Sequence, residues 1–281
     1  MRKVKAEQIK DVIKELFLKA NFVIGTDILD MLIKRQKEEK SPTGKAVLSQ
    51  IIENDVIASD EKIAMCQDTG YAVVFVELGQ EVLIVDGDFN EAINQGVREA
   101  YEEGYLRKSV VEEPLFERKN TKDNTPAIVH LEIVPGDKIK IAVTPKGFGS
   151  ENMSTLKMLK PADGIEGVRE FIIETVEKAG PNPCPPIVVG IGIGGTVEKA
   201  ALIAKKSLLR SVDERNNDDR YARFEEELLE DINKLGIGPA GLGGITTALA
   251  VNIEFAPTHI AGLPVVVNIC CHAARHAEAT I

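Results

Sequence analysis

Apolar residues near the N-terminus recur at the three- and four-residue spacing of amphipathic helices. Between residues 4 and 36 this pattern is interrupted once, at residues 25–27, where a threonine and an aspartate can cap a second helix. A third helix is expected over residues 46–55, after a turn at residues 41–44. The pattern therefore predicts a helical N-terminal segment, residues 1–60.

The pattern then changes to short runs rich in β-branched and aromatic residues. Strands are predicted over residues 71–76 and 82–85, with a turn between them. Residues 127–133 and 138–144 alternate apolar and polar side chains around Pro135-Gly136-Asp137. This alternation about a turn predicts a β-hairpin.

The remaining elements decide the fold class. Helices are predicted over residues 90–105, 165–179, 197–211 and 220–234, buried strands over 187–191 and 263–269, and a solvated loop over the polar run 213–220. Strands and helices do not alternate strictly, which favours an α+β (mixed α/β) fold over a regular doubly wound sheet. We expect the helical N-terminal segment to pack on one β-containing domain, residues 61–281, with the functional loops at strand ends.

Composition and charge exclude several classes of protein. With 281 residues, of which 44% are hydrophobic, the chain can bury a sizeable core. A formal net charge of -10 argues against nucleic-acid binding, which needs a surface dominated by lysine and arginine. No stretch reaches the roughly 18 uncharged apolar residues of a membrane span, and the charged N-terminus is unlike a signal peptide. The protein is expected to be soluble and cytoplasmic.

Four cysteines, Cys66, Cys184, Cys270 and Cys271, are the candidate reactive groups. They are too few and too scattered for a disulfide framework in a chain of this length. Their loops adjoin predicted strands, where scaffolds present reactive groups. Prolines on both sides exclude Cys184 from a helix interior or a central strand. We therefore expect its thiol to be presented by a loop rather than packed in the core. No CxxC pair is present, which leaves zinc-ribbon and ferredoxin sites without support.

Five landmarks of unusual composition follow one another along the chain. They are Cys66-Gln-Asp-Thr-Gly70, Leu106-Arg-Lys-Ser109 with Asn120-Thr-Lys-Asp-Asn-Thr-Pro-Ala127, Lys146-Gly-Phe-Gly-Ser-Glu-Asn152, Cys184-Pro-Pro-Ile-Val-Val-Gly-Ile-Gly-Ile-Gly-Gly-Thr196, and Cys271-His-Ala-Ala-Arg275. In this order they resemble the landmarks of class I fumarate hydratases and the related L-tartrate dehydratases. The likeness runs from about residue 60 to the C-terminus.

The resemblance implies a 4Fe-4S cluster held by only three cysteines, with its fourth iron open to substrate. By position, Cys66, Cys184 and Cys271 match the metal ligands. Cys271 directly precedes His-Ala-Ala-Arg, as the family ligand does, and neighbouring side chains on a strand point to opposite faces, so Cys270 is assigned to packing. The implied reaction is the reversible hydration of fumarate to L-malate, as in the tricarboxylic acid cycle, with the open iron as Lewis acid. Dehydration of L-tartrate is the alternative.

The resemblance also implies which residues meet the substrate. Gln67 and Asp68 lie beside the first ligand as catalytic residues, and Asp68 is the candidate general acid. Arg107 matches the residue that binds a substrate carboxylate, which a planar guanidinium grips through two hydrogen bonds. Backbone N–H groups around Gly149 line the pocket, and His259 lies near the third ligand.

Simpler roles are open to three of these residues. Arg107 could be a surface residue at a helix end, and Asp68 could only cap a turn, as Asp-Thr-Gly sequences often do. His259 could be a core histidine. His272, Arg275 and His276 could simply lie at the start of a helix, and they are given no role in the site.

The main departure from the family pattern is at the C-terminus. Single-chain class I enzymes continue into a second domain that supplies the catalytic base, whereas this sequence stops at Ile281. We therefore expect a separate β subunit, an active site closed at the interface with it, and a dimer of αβ pairs. Phe148 stands where many relatives have another glycine, which is a second departure.

Two other classes of function compete with this interpretation. Gly190, Gly192 and Gly195 fit the spacing G-x-G-x-x-G of a dinucleotide-binding loop. The second strand with a terminal acidic residue, expected about 20 positions later, is missing, so these glycines are assigned to close approach of the backbone to the cluster or to a partner chain. A non-enzymatic interaction module is the remaining alternative, and it predicts a colourless protein that is indifferent to oxygen.

Overall fold

The computed structural model describes residues 1–281 and has the expected α+β class. The helices are α1 (Ala6–Phe22), α2 (Thr26–Glu38), α3 (Pro42–Glu61), α4 (Phe89–Glu103), α5 (Phe148–Glu151), α6 (Gly164–Ala179), α7 (Val197–Ser207) and α8 (Asp219–Lys234). The strands are β1 (Arg2–Lys5), β2 (Tyr71–Gly79), β3 (Val82–Val85), β4 (Ile128–Val134), β5 (Ile139–Lys146), β6 (Thr155–Leu159), β7 (Ile187–Gly194), β8 (Ala248–Ala256), β9 (Leu263–Cys270) and β10 (Ala277–Thr280). No helix combines the length and the apolar run needed to cross a bilayer.

The chain divides into two compact units that interleave along the sequence. Unit 1 comprises Met1–Ile24, Asp55–Phe148 and Arg275–Ile281. Unit 2 comprises Gly25–Asn54 and Gly149–Ala274. Each unit contains a four-stranded mixed sheet and a hydrophobic core of its own.

Unit 1 is built on the strand order β10-β5-β2-β4, and a separate parallel pair joins β1 to β3. Strand β2 runs parallel to β4 and antiparallel to β5. Its run Ala72–Val76 is buried throughout. Helix α1 places Ile9, Ile13 and Phe17 at helical spacing on one face, and this face packs into the core against α4 and β5.

The predicted β-hairpin over residues 127–144 is wrong. Strands β4 and β5 are both present, but they flank β2 instead of pairing with each other. The end of β2 lies under the loop that joins them, where Gly79 N donates to Lys138 O and Gln80 N donates to Val134 O, each at 2.8 Å. A Cβ on Gly79 would lie 2.5 Å from Gly136 O, so only glycine fits there. A strand as buried as β2 requires a hydrogen-bonded neighbour on each side, and β4 and β5 supply them.

Unit 2 has the strand order β6-β9-β7-β8, with β7 parallel to β8 and antiparallel to β9. Helices α6 and α8 contribute buried faces to its core, as Ile172 and Leu228 illustrate. The glycines of β7 explain how α7 packs: a Cβ on Gly190 would lie 2.4 Å from Ala204 O, and one on Gly192 would lie 2.0 Å from Ala200 O. Because Gly190 and Gly192 have no side chains, helix α7 can pack closely against β7. Both glycines lie inside a buried strand rather than in a phosphate-binding loop.

Candidate functional site

The loop that carries Cys66 lies in unit 1, between α3 and β2. The Cys66 thiol is partly buried and donates to Gln67 Oε1 at 3.6 Å. Asp68 Oδ1 accepts a hydrogen bond from Gly70 N at 3.0 Å, and Asp68 Oδ2 accepts one from Phe148 N at 2.8 Å. Asp68 thus caps the turn, as the simpler interpretation allowed, and it also holds the start of α5.

Buried polar side chains hold the Cys66 loop in place through hydrogen bonds. Thr69 Oγ1 donates to Arg107 O at 3.0 Å, and the Tyr101 hydroxyl lies 2.7 Å from Thr69 O and 2.8 Å from Gly70 O. Burial raises the pKa of Tyr101 well above its usual range, so the hydroxyl stays protonated and acts as a donor to the loop. Asn124 Nδ2 donates to Gly70 O at 3.2 Å. The backbone after Cys66 is therefore rigidly placed.

Arg275 is a further functional candidate, to which the sequence pattern assigns no role. It is only 2% exposed, and its guanidinium donates from Nε to Pro145 O at 3.2 Å and from Nη2 to Asp68 O. Its third nitrogen, Nη1, is buried and has no hydrogen-bond partner in the protein. The positively charged guanidinium of Arg275 is therefore in direct contact with the backbone carbonyl of Asp68. The only sequence signal for it was its place at the end of Cys271-His-Ala-Ala-Arg.

Arg107 and His259 both have exposed side chains. The backbone of Arg107 is tied to the Cys66 loop, because its carbonyl oxygen accepts from Thr69 Oγ1. His259 lies between β8 and β9, and its Nδ1 accepts from Ala261 N at 3.2 Å. It is therefore not a core histidine.

The loop that carries Cys184 lies in unit 2, between α6 and β7. Cys184 is exposed and has a φ of 54°, a left-handed conformation that costs an L-residue about 1 kcal/mol or more. The peptide bond between Pro185 and Pro186 is cis. His272 N donates to Cys184 O at 3.4 Å, so this loop and the segment after β9 lie side by side.

The two adjacent cysteines have different surroundings. Cys270 ends β9, pairs in register with Val188 and is 6% exposed. Cys271 follows the strand and is only partly buried. All four cysteines are reduced thiols, and the three that stand in the family landmarks are the three with accessible surface.

The segment after Phe148 forms the short helix α5, with Gly149 exposed. Glu151 anchors this segment within unit 2, because its carboxylate forms an ion pair with Lys205 and accepts from Asn268 Nδ2 at 3.1 Å. Ser154 Oγ accepts from Ile269 N at 3.1 Å and fixes the next turn to β9. The backbone around Gly149 is therefore accessible but firmly held.

No three histidine, cysteine, aspartate or glutamate side chains form a group with metal-binding spacing. The chemistry of the donors still fits an iron-sulfur cluster, since cysteine thiolates are its usual ligands. Cys66, Cys184 and Cys271 provide three accessible thiols on loops, whereas Cys270 is enclosed at the end of a strand.

Comparisons with known proteins agree with the landmarks. The family model described as fumarate hydratase (Fumerase) matches residues 10–280. A putative L(+)-tartrate dehydratase subunit alpha of Methanocaldococcus jannaschii is 48% identical over 276 residues, 96% of this chain and 96% of that protein. L(+)-tartrate dehydratase subunits alpha from two Escherichia coli strains are 36% and 35% identical over 253 residues, 89% of this chain and 82% of each of theirs.

The chain has a mixed α+β fold and three accessible cysteines within the landmark segments. These features are consistent with the class of protein to which the relatives belong. The chain belongs to the fumarate hydratase (Fumerase) family. The resemblance inferred from the sequence is confirmed.

Proposed function

We propose that this chain is the α subunit of an iron-sulfur hydro-lyase that adds water to, or removes it from, a four-carbon dicarboxylate. The proposal rests on the exposure of the cysteines: the three that lie in the family landmarks are accessible, and the fourth is buried. A protein that used its cysteines only for packing would bury them.

Cys66, Cys184 and Cys271 are the residues that would hold a 4Fe-4S cluster. When bound, such a cluster supplies a Lewis acid that polarises a substrate oxygen without electron transfer. The φ of 54° at Cys184 supports a ligand role, because this costly conformation turns the side chain to a direction that the neighbouring backbone would not otherwise give it.

The substrate is held and its proton transferred by residues of the loops described above. Arg107 pairs with one carboxylate, and the exposed backbone N–H of Gly149 together with His259 provides further donors. Asp68 acts as general acid, with Gln67 beside it. The buried support under the loop gives Asp68 a fixed position, which is what proton transfer at a defined atom requires.

Two candidate substrates are each supported by a different observation. The family description supports fumarate, the substrate expected from the sequence, with L-malate as its hydrated form. The names of the relatives support L(+)-tartrate at least as well. Both are four-carbon dicarboxylates, and an arginine fork serves either one.

A second subunit completes the proposed enzyme. The relatives are each called a subunit alpha. We propose that a β subunit supplies the catalytic base and further substrate contacts, and that αβ pairs associate as dimers.

The test is an anaerobic reconstitution of the full chain together with its second subunit, followed by assays with fumarate, L-malate and both tartrate enantiomers. We expect a brown complex that contains iron and sulfide, turns over one of these substrates and bleaches in air. The absence of bound iron under strict anaerobiosis, with the second subunit present, would rule out the cluster. A reconstituted complex that turns over none of these acids would rule out the substrate class.

A further inference from the structure

Two aromatic side chains of unit 1 are tied to the backbone that holds the Asp68 carboxylate. Asp68 Oδ1 accepts from Gly70 N at 3.0 Å, and the next residue along the chain is Tyr71. Asp68 Oδ2 accepts from the backbone N–H of Phe148 at 2.8 Å. The rings of Tyr71 and Phe148 pack against each other, with 6.1 Å between their centroids and 34° between their planes. An aromatic pair therefore lies beside the carboxylate that is proposed as the general acid.

This aromatic pair is an apolar surface that the protein leaves accessible. The Phe148 side chain is 48% exposed, although phenylalanine is among the residues most often buried. Its position is set by the sheet, because Tyr71 pairs in register with Lys146, two residues before Phe148. Burial raises the pKa of Tyr71 above its usual value, so the phenol is uncharged. The pair is thus fixed in place and carries no charge.

Proton transfer brings a substrate into contact with this surface. A general acid must lie within about 2.6–3.2 Å of the oxygen that it protonates. A four-carbon dicarboxylate spans more than that distance, so a substrate that touches the Asp68 carboxylate also extends over residue 148. We infer that Phe148 is a specificity-determining residue, whose ring selects fumarate and L-malate against L-tartrate. The inference rests on the proposed function, since it takes Asp68 as the acid.

The two candidate hydroxy acids differ at one carbon. Dehydration of L-malate removes the hydroxyl group from one carbon and a proton from the adjacent CH₂ group, which leaves fumarate and water. L-Tartrate carries a second hydroxyl group on that adjacent carbon. A hydroxyl group placed against an aromatic ring lacks a hydrogen-bond partner, whereas a CH₂ group loses nothing there. Since an apolar pocket rejects an added hydroxyl group by about a hundredfold at most, we expect a preference of about 10- to 100-fold for L-malate.

A purely structural role for Phe148 predicts a different result. If the ring only packed on Tyr71, its removal would destabilise the loop and lower the turnover of both acids by the same factor. A ring that contacts the substrate changes the ratio between the two acids instead. The ratio of the two kcat/KM values is therefore the decisive quantity.

The test compares L-malate with L-tartrate as substrates of the full chain, reconstituted anaerobically with its second subunit. In Phe148→Ala the ratio of kcat/KM for L-malate to that for L-tartrate should fall about tenfold or more at unchanged iron content. Most of this change should be a gain with L-tartrate, because water can then reach its second hydroxyl group and supply a hydrogen bond. Phe148→Leu keeps an apolar side chain at this position and should retain most of the preference.

Phe116 provides a matched control within unit 1. Its backbone N–H also donates to a carboxylate, that of Glu113 at 2.5 Å, and its side chain is 86% exposed. Phe116→Ala therefore removes the same ring from a similarly capped turn. We expect its ratio of the two kcat/KM values to equal that of the wild type.

A second measurement follows substrate binding without turnover. The chain contains no tryptophan, so Phe148→Trp introduces a single indole, and the wild-type complex provides the background emission. The emission of Phe148→Trp should change saturably as L-malate is added. Phe116→Trp should show no such change.

Several outcomes would overturn the inference. An active complex in which Phe148→Ala keeps the wild-type ratio would do so and would leave the hydro-lyase proposal intact. The same holds for a wild type that prefers L-tartrate, and for an active complex in which the emission of Phe148→Trp ignores L-malate. A complex that binds iron but turns over neither acid would contradict the proposed function, and the inference with it.

Discussion

The carboxylate of Asp68 accepts a hydrogen bond from the backbone N–H of Phe148, with 2.8 Å between Oδ2 and N. Eighty residues of sequence separate the two. Since the other oxygen of Asp68 accepts from Gly70 N, one carboxylate fixes both the turn after Cys66 and the start of α5. The residue proposed as an acid is thus also one that orders the loops around it.

Asp68→Asn separates these two roles. The amide keeps one acceptor oxygen for one of the two N–H donors, and it has no carboxyl proton to give. Loss of a positioned general acid lowers rates by about 10²- to 10⁴-fold, so kcat of the reconstituted complex should fall in that range at unchanged iron content. Asp88→Asn is the matched control, because Asp88 also caps a backbone N–H, that of Glu91, at the start of α4.

The control variant should lose about 1 kcal/mol of stability at most and keep its kcat. Full activity in Asp68→Asn would contradict the acid role. Loss of iron in step with loss of activity would show instead that Asp68 is only a structural cap.

Arg275→Lys tests the support beneath the same loop. An ammonium group cannot donate to Asp68 O and Pro145 O in the geometry of the guanidinium fork, and the change leaves a buried charge poorly paired. We expect a loss of about 2–4 kcal/mol in the free energy of unfolding, measured by urea titration. Arg118→Lys is the control, since Arg118 also donates to a backbone carbonyl, that of Pro114, but at an exposed position. Equal losses in both variants would contradict a special role for Arg275.

Local sequence patterns predicted most helices and the central strands correctly. The expected helix over residues 165–179 is α6 (Gly164–Ala179), and the expected strand over residues 263–269 is β9 (Leu263–Cys270). Periodicity could not reveal which strands pair, because β2 enters between β4 and β5 from a distant part of the chain.

Some residues of the candidate site could likewise be predicted from the sequence, and others could not. Cysteines in loops with proline and glycine are conspicuous in the sequence, and their accessibility agrees with that expectation. Arg275 carries no comparable local signal, since the Asp68 carbonyl that it contacts is 207 residues away. Tyr101 is similar: it lies on α4, yet its hydroxyl supports Thr69 and Gly70. Buried polar support of this kind depends on tertiary structure that spacing does not encode.

The two adjacent cysteines provide a sharp test of the ligand assignment. Cys271→Ser, like Cys66→Ser and Cys184→Ser, should abolish iron and sulfide binding after anaerobic reconstitution. Cys270→Ser should keep most of the iron and lose about 1–3 kcal/mol of stability, because it places a hydroxyl at a buried strand end. Iron content and urea midpoints of the four variants check this. Retention of iron in Cys271→Ser together with its loss in Cys270→Ser would reverse the assignment.

Glu39 gives a pH-dependent prediction within unit 2. Its buried carboxylate accepts from the backbone N–H groups of Lys40, Ser41, Ile245 and Thr246. Burial by itself raises the pKa of the Glu39 carboxyl, but the N–H donors outweigh it, and the pKa lies below the usual 4.5. A lowered pKa in the folded state means that the charged form stabilises the fold above the unfolded-state pKa. This stabilisation is lost as the pH falls through the folded-state value.

Glu39→Gln should therefore cost about 2 kcal/mol at neutral pH, since hydrogen bonds to a charged acceptor are replaced by weaker ones and the amide –NH₂ faces N–H donors. The difference between wild type and variant should stay constant down to a pH of about 4.5 and shrink below it, because the wild-type carboxylate then takes up a proton. Urea titrations across this range measure the difference. Glu38→Gln is the control, since Glu38 pairs with Arg35 at the surface and should contribute less than about 1 kcal/mol. A difference that grows toward acid pH would mean that the folded-state pKa of Glu39 is raised, and that burial outweighs the four backbone donors.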